Sequence, residues 1–363
     1  EREVAALLDA IHTCKILDPA CGSGAFPMGM LHKLVYIIHK LDPDNARWKQ
    51  LQIDTAAKIP DPSARNAAIA AIERDFADNE DDYVRKLYLV ENCLYGVDIQ
   101  PIAIQISKLR FFISLICDQR TNRSKKENHG IRPLPNLETK FVAADTLVGL
   151  PEMDQLALVD PKAYKIEAEI EALYHSHFAI QRRDQKLALQ KRIRDLRKEL
   201  GKLLAESLGS SKKTQHIADW DPFDPQATSD FFDSHWMFGR SLANGFDVVL
   251  GNPPYQSAIE HKKAKGEEYR NRIKEQYDSA TGTWDLYVPF FEAGIDFLKP
   301  NGILSFISPN KYLSATYGVG LRQFLLKATR ILTLADVSHL PIFESASVYP
   351  VISVFRKCQP PKT

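Results

Sequence analysis

The chain has 363 residues, is 44% hydrophobic and 26% charged, and carries a net charge of +1 at pH 7. That balance belongs to a soluble globular protein of one elaborated domain or two, and its near-neutral charge does not by itself announce a nucleic-acid binder. No apolar stretch is long enough to span a bilayer, Glu1-Arg2-Glu3 does not open a signal peptide, and the scattered Cys14, Cys21, Cys93, Cys117 and Cys358 form no Cys-x-x-Cys pair, which argues against a zinc site or disulfide framework and for the cytoplasm.

In chain order, a short apolar helix leads into the strand-like run "CKILD" (14–18). A Gly-containing turn and a helix follow, then a helical insertion, then the run "LYGVDI" (94–99) and the helix "PIAIQISKLRFFISLI". The run "FVAAD" (141–145) precedes a Glu-, Lys-, Arg- and Leu-rich segment, 161–213. There Ile193, Leu196, Leu200 and Leu203 recur at helical spacing, predicting a long helical hairpin with a solvated outer face. "FDVVL" (246–250), "ILSFIS" (303–308), "ILTLADV" (331–337) and "VISVF" (351–355) complete seven runs. Continuous rather than alternating apolar character predicts strands covered on both faces, hence a doubly wound, mostly parallel, Rossmann-like α/β sheet. The closeness of the last two runs predicts an antiparallel pair at one edge. We divide the chain into a cofactor-binding half (1–160), the hairpin insertion (161–213) and a catalytic half of the same domain (214–363). Residues 260–277, charged and without a clear apolar stripe, read as a mobile loop.

Three strand ends carry an acid. Asp18 precedes a turn with Gly22 and Gly24, which allow positive φ and close approach of a ligand. A plain strand-to-helix turn is the alternative. A dinucleotide fingerprint would want glycine where Pro27 stands, so a nucleoside without a pyrophosphate, such as S-adenosylmethionine, fits better. Asp98 suits either a ribose acceptor or a helix N-cap, and Asp145 repeats the pattern. At the fourth run, Asn252-Pro253-Pro254-Tyr255 ends a buried strand with a stiff polar tip. The Asn252 side-chain oxygen and the Pro253 carbonyl are two acceptors able to draw an aromatic amine toward tetrahedral geometry. Two prolines preorganise the turn, and Tyr255 offers a face to an extracted base.

"DPACGSGAF", "LYGVDIQPIAIQISKLRFFISL", "AADTL" and "VVLGNPPY" together resemble the amino-methyltransferases acting on adenine N6 in DNA, in the gamma order and most like the methylases of type IIG restriction-modification enzymes. The stretches 284–313 and 340–355 are similar to the family's later motifs. The resemblance implies S-adenosylmethionine as cofactor and no metal. It implies that Asp18, Gly22 and Gly24 line the methionine end, Asp98 holds the ribose and Asp145 meets the adenine. Pro19, Ala20, Cys21, Phe26, Ile99, Thr146 and Asn252 complete the cofactor-binding set. Asn252, Pro253, Pro254 and Tyr255 form the catalytic tip, with Phe343 as a second aromatic against the flipped base.

The implied partner is double-stranded DNA, with Lys262, Lys263, Lys265, Arg270, Arg272 and Lys274 placed to meet phosphates. The family's cofactor segment before the Gly-rich turn, its target-recognition domain and a nuclease constellation are not visible, so the expectation is a catalytic part of a larger polypeptide, with a nuclease domain or subunit as a further partner. Cytosine N4, an RNA base or a protein glutamine presents the same amine. A cofactor-binding interaction module without catalysis is the non-enzymatic alternative.

Overall fold

All seven apolar runs become strands: β1 Ile16–Asp18, β2 Leu94–Asp98, β3 Phe141–Ala143, β4 Phe246–Gly251, β5 Leu298–Pro309, β6 Thr329–Asp336 and β7 Pro350–Lys357. In the computed structural model they form one seven-stranded sheet in the order β3-β2-β1-β4-β5-β7-β6 among the described residues. Those residues are 1–59, 61–121, 123, 124, 128, 129, 131, 135–149, 161–180, 182–208, 215, 219–340 and 349–358. The pairs β1–β2, β1–β4, β2–β3 and β4–β5 are parallel, whereas β7 runs antiparallel to both β5 and β6. The expected antiparallel pair is therefore present, with β6 at the sheet edge.

Adjacent side chains along a strand point to opposite faces, and both faces are covered over β1 to β4. The edge strand β6 departs from the expected cover, with Ile331, Leu332 and Leu334 exposed at the sheet edge, beyond which no strand lies among the described residues. Leu17, Tyr95, Val142 and Val249 join one core with Trp284, Tyr287 and Phe291. Ile16, Leu94, Phe141 and Leu250 join a second core. The covering helices of this second face are α1 Arg2–Thr13, α2 Ala25–Leu41, α3 Ala46–Ala56, α4 Pro62–Asp78, α5 Asp81–Asn92 and α6 Pro101–Cys117. They contribute buried Leu8, Leu31, Trp48, Leu89 and Phe111, among others. Helices α3 to α5 fill the long interval between β1 and β2.

The helices α7 Pro161–Ala179 and α8 Arg183–Leu208 pack on each other through Ile166, Ile170, Tyr174, Ile193, Leu196 and Leu200. The guanidinium of Arg197 lies inside, donating to Tyr174 Oη at 3.2 Å and to the carbonyl of Trp236 at 3.0 Å. Trp236 belongs to the short helix α9 Ser234–Phe238, so the hairpin is fastened to the segment leading into β4.

The segment read as a loop is instead helix α10, Ala258–Gln276. Ser257 and Glu260 close a reciprocal capping box at its start, satisfying backbone donors that would otherwise be orphaned. Ile273 and Tyr277 are buried and Tyr269 packs against the same core, which supplies the anchoring stripe concealed by the charges between them. At Gly266 the backbone leaves helical geometry (φ 85°, ψ 176°), so α10 is two helical pieces joined at a glycine. Helices α11 Tyr287–Asp296 and α12 Val319–Ala328 complete the first face. Among the described residues no helix is long and apolar enough to cross a membrane.

Candidate active site at the carboxyl edge of the sheet

Because β1, β2, β3 and β4 are parallel, their carboxyl ends emerge together, the usual ligand edge of an open α/β sheet. The register sets Asp18 beside Gly96, Asp98 beside Ala143, and Leu17 beside Val249. Three acids and the Asn252 tip thus reach one edge.

The turn after β1 is held by its backbone. Gly22 (φ +54°) and Gly24 (φ +82°) are left-handed, and Gly24 caps α2. A Cβ on Gly24 would come within 2.8 Å of Ser107 Oγ on α6. That hydroxyl donates to the Gly22 carbonyl at 2.9 Å, while the Cys21 amide donates to the Val97 carbonyl at 2.9 Å. Asp98 ties the turn to β2: its Oδ2 accepts from the Gly22 amide at 2.9 Å and its Oδ1 from the Gln100 amide at 2.9 Å. Asp98 therefore does not cap the first turn of α6 as an N-cap side chain; it bridges the Gly-rich turn and the loop after β2.

Asp18 is 2% exposed. Its Oδ1 accepts from the Ala20 amide at 3.1 Å, and its Oδ2 has no hydrogen-bond partner among the described residues. Burial, reinforced by the charge of Asp98, pushes this carboxyl up to about 8. A buried acid of this kind is poised to ionise when a cation arrives.

Asp145 sits beyond β3, and α10 reaches over it. Tyr269 Oη donates to Asp145 Oδ1 at 2.9 Å, and Lys265 Nζ donates to Oδ2 at 3.3 Å. Thr146, next in the chain, is buried and gives its hydroxyl to the Pro19 carbonyl at 2.6 Å, cross-linking two strand ends.

At the tip, Asn252 Oδ1 is buried and has no hydrogen-bond partner among the described residues. Such an acceptor is costly unless a donor arrives. Tyr255 is half-buried, its hydroxyl donating to the Ile307 carbonyl at 3.3 Å and its ring meeting Tyr287 edge-on at 6.4 Å. Burial raises its phenol, so the hydroxyl keeps its proton. The Gln256 carbonyl accepts from the Leu286 amide at 2.9 Å, pinning the exit from the two prolines.

Of the remaining expected residues, Phe26 and Ile99 are 38% and 39% exposed, apolar surface beside the Gly-rich turn and beside Asp98. Cys21 is buried, and a Cβ on Gly96 would come within 3.0 Å of its sulfur, so its side chain supports the turn from beneath. Phe343 lies outside the described residues. The expected phosphate contacts divide. Lys265 is engaged by Asp145, and Arg270 donates to the Gly282 carbonyl at 3.2 Å and lies 4.8 Å over the Trp284 ring. Lys263, Arg272 and Lys274 are exposed. Lys262 falls on α10, but its side chain lies outside the described residues.

Sequence reasoning missed Tyr269 and Ser107, whose partners are distant in sequence. It also missed Gly251, whose absent side chain makes room for Asp18. The S-x-x-E spacing of Ser257 and Glu260 was the available signal for α10.

The model of the family described as Eco57I restriction-modification methylase matches residues 92–343, which include Asp98, Asp145 and the whole Asn252–Tyr255 tip. The chain belongs to the Eco57I restriction-modification methylase family. The Gly-rich turn precedes the matched span and rests on its own geometry. RM.MjaORFECS2P of Methanocaldococcus jannaschii is 25% identical over 423 residues, covering 99% of this chain and 31% of that protein. The Type II methyltransferase M.BstVI of Geobacillus stearothermophilus is 33% identical over 124 residues, covering 33% of this chain and 21% of that protein. The chain thus spans less than a third of either relative's length. Among solved structures, a nuclease-deletion mutant of the Type ISP restriction-modification enzyme LlaGI, in complex with a DNA substrate mimic, covers 95% of this chain and 20% of its own, at 14% identity and a TM-score of 0.42. The assignment to a Rossmann-like methyltransferase fold rests on the strand order, and membership of the methylase family agrees with the type IIG resemblance.

Proposed function

We propose that this Eco57I-family methylase transfers a methyl group from S-adenosylmethionine to the N6 amine of an adenine flipped out of DNA. The observation that carries the proposal is the unpartnered, buried Asn252 Oδ1 on a tip stiffened by two prolines, one strand away from the equally unpartnered Asp18 Oδ2. Two buried oxygens at one sheet edge, both without partners among the described residues, suit two incoming groups: an amine donor at Asn252 and a cation that ionises Asp18.

The residues suit the cofactor. Left-handed Gly22, where a Cβ would meet open space, leaves the turn open to a ligand, while Gly24 lets the turn pack against Ser107. Asp18 matches a cationic methionine end, and Asp98 and Asp145 offer acceptors further along the edge. S-adenosylmethionine supplies an electrophilic methyl group on sulfur when bound. The chain's own work is to bind and orient. Asn252 Oδ1 and the Pro253 carbonyl accept the two amine hydrogens and direct the nitrogen lone pair away from the ring. Tyr255, fixed by Ile307 and Tyr287, stacks on the extracted base, which offsets part of an unstacking cost of about a few kcal/mol. As the amine becomes cationic, both acceptors bind it more strongly, so their stabilisation falls on the transition state. Lys263, Arg272 and Lys274 on α10 provide the phosphate contacts near the tip, and a nuclease region is a partner of the whole system.

Mass spectrometry of nucleosides from DNA of cells expressing the gene tests this reading. N6-methyladenine is expected, and it should vanish with Asn252→Ala. N4-methylcytosine would replace adenine as the target; absence of any modified base would remove the catalytic reading.

A further inference from the structure

We infer that Tyr269 and Lys265, on the helix that follows the catalytic tip, are positioning residues that aim Asp145 at the exocyclic amine of the cofactor's nucleobase and so set the choice of that base. The inference rests on the cofactor reading above.

Asp145 lies beyond the end of β3, where a side chain alone has several rotamers. Its two oxygens are held separately, Oδ1 by Tyr269 at 2.9 Å and Oδ2 by Lys265 at 3.3 Å, and its side chain is 9% exposed. A carboxylate has about four lone-pair sites, so two donors orient it while leaving acceptor capacity on each oxygen. Burial and the charge of Asp145 push the Tyr269 phenol upward, and the Lys265 ammonium also lies 5.1 Å over the Tyr269 ring. The carboxylate is thus fixed as an acceptor, matched to an amine and mismatched to a carbonyl.

The two donors stand on either side of the break at Gly266 (φ 85°, ψ 176°), which lets both side chains reach one carboxylate from a single segment. Below them, Tyr277 Oη donates to the Leu147 carbonyl at 3.1 Å, so α10 is fastened to the same loop that carries Asp145. Its other end starts at Ser257, two residues after Tyr255. One helix therefore joins the strand end facing the cofactor to the tip facing the target.

The test compares S-adenosylhomocysteine with S-inosylhomocysteine, in which a carbonyl replaces the 6-amino group, by calorimetry on the whole protein. The unmodified protein is expected to prefer the amine by on the order of 100-fold, as sites built to pair a polar group reject its mismatch. Tyr269→Phe and Lys265→Met should each reduce that preference by about 10-fold, the scale of one hydrogen bond to a charged group, and Lys265→Arg should retain it. Melting curves establish that each variant is folded; Lys265 is 40% exposed at its side chain, so its replacement spares the core. A preference unchanged in both variants would overturn the inference. So would tighter binding of both compounds by Lys265→Met, since the ion pair would then be a plug in the pocket. If the unmodified protein bound neither compound, the cofactor reading itself would fall. Binding without discrimination would remove only the role given to Asp145 and its two holders.

Discussion

Asp18 and Gly251 meet across the β1–β4 pairing so closely that a Cβ on Gly251 would lie 2.6 Å from Asp18 Oδ1. Gly251 is the residue before Asn252, so the acid of the Gly-rich turn and the Asn252–Tyr255 tip are packed together at one point. Gly251→Ala should force Asp18 or the tip to move. Overpacking of this kind costs about 1–3 kcal/mol. We expect a lower Tm and weaker S-adenosylmethionine binding together; Gly29→Ala, inside α2 where a Cβ meets open space, serves as the control and should leave binding unchanged while raising the Tm slightly through helix propensity.

Asn252→Ala separates function from stability. Deleting an acceptor used mainly as the amine turns cationic should reduce kcat by on the order of 100-fold or more with cofactor affinity near normal. Its Oδ1 is buried without a partner among the described residues, so the variant should melt at the same temperature or higher. A loss confined to KM, or a large fall in Tm, would contradict the assigned role.

Asp18 predicts a pH signature. With its carboxyl pushed up to about 8 by burial, it is mostly neutral in the free protein at pH 7. A cationic methionine end favours the ionised form, so binding should release a proton and tighten as pH rises toward about 8. Calorimetry in two buffers of different ionisation enthalpy counts that proton, and Asp18→Asn should abolish it. Stability runs the other way. The folded value lies above the unfolded 3.8, so the neutral carboxyl's contribution is complete below that pH and is lost as pH climbs toward about 8. The Tm of the free protein should decline across that window.

Asp98→Ala removes the acceptor for the Gly22 amide as well as the proposed ribose contact. Affinity for S-adenosylmethionine should drop by roughly 10-fold to 100-fold, the range for hydrogen bonds to a charged group. Hydrogen exchange should also quicken at Gly22. Faster exchange with unchanged affinity would confine Asp98 to shaping the turn.

The exposed cations of α10 make a salt-dependent prediction. Replacing Lys263, Arg272 and Lys274 by Gln should weaken DNA binding across all sequences. It should flatten the slope of log affinity against log salt by about 0.9 for each phosphate left without its cation. Fluorescence anisotropy over a salt series measures this, and an unaltered slope would return the three to ordinary solvated surface.

Much of the frame was legible because strands buried on both faces must be continuously apolar; the run that became β6 is the exception, continuously apolar yet mostly exposed at the sheet edge, at Ile331, Leu332 and Leu334. The tip was legible as well, since an Asn followed by two prolines and a Tyr is an unusual end for such a strand. Helix α10 was not. Its anchors, Tyr269, Ile273 and Tyr277, are spaced at helical intervals but diluted by charges, and the capping box of Ser257 and Glu260 is a short signal. The contact of Asp98 with the Gly22 amide was also beyond the sequence, because that amide comes from the turn after another strand.

By itself, the sequence determined the order of the seven strands and of the helices other than α10, the acids that follow three strands and the Asn-Pro-Pro-Tyr tip, all properties of local pattern and residue chemistry. Only the tertiary structure decided what each group faces. It buried Asp18 against Gly251, left Asn252 Oδ1 without a donor among the described residues and brought Tyr269 and Lys265 onto Asp145. Desolvation and orphaned lone pairs depend on atoms brought together from distant parts of the chain, and these conditions exist only once the sheet has closed between its helices.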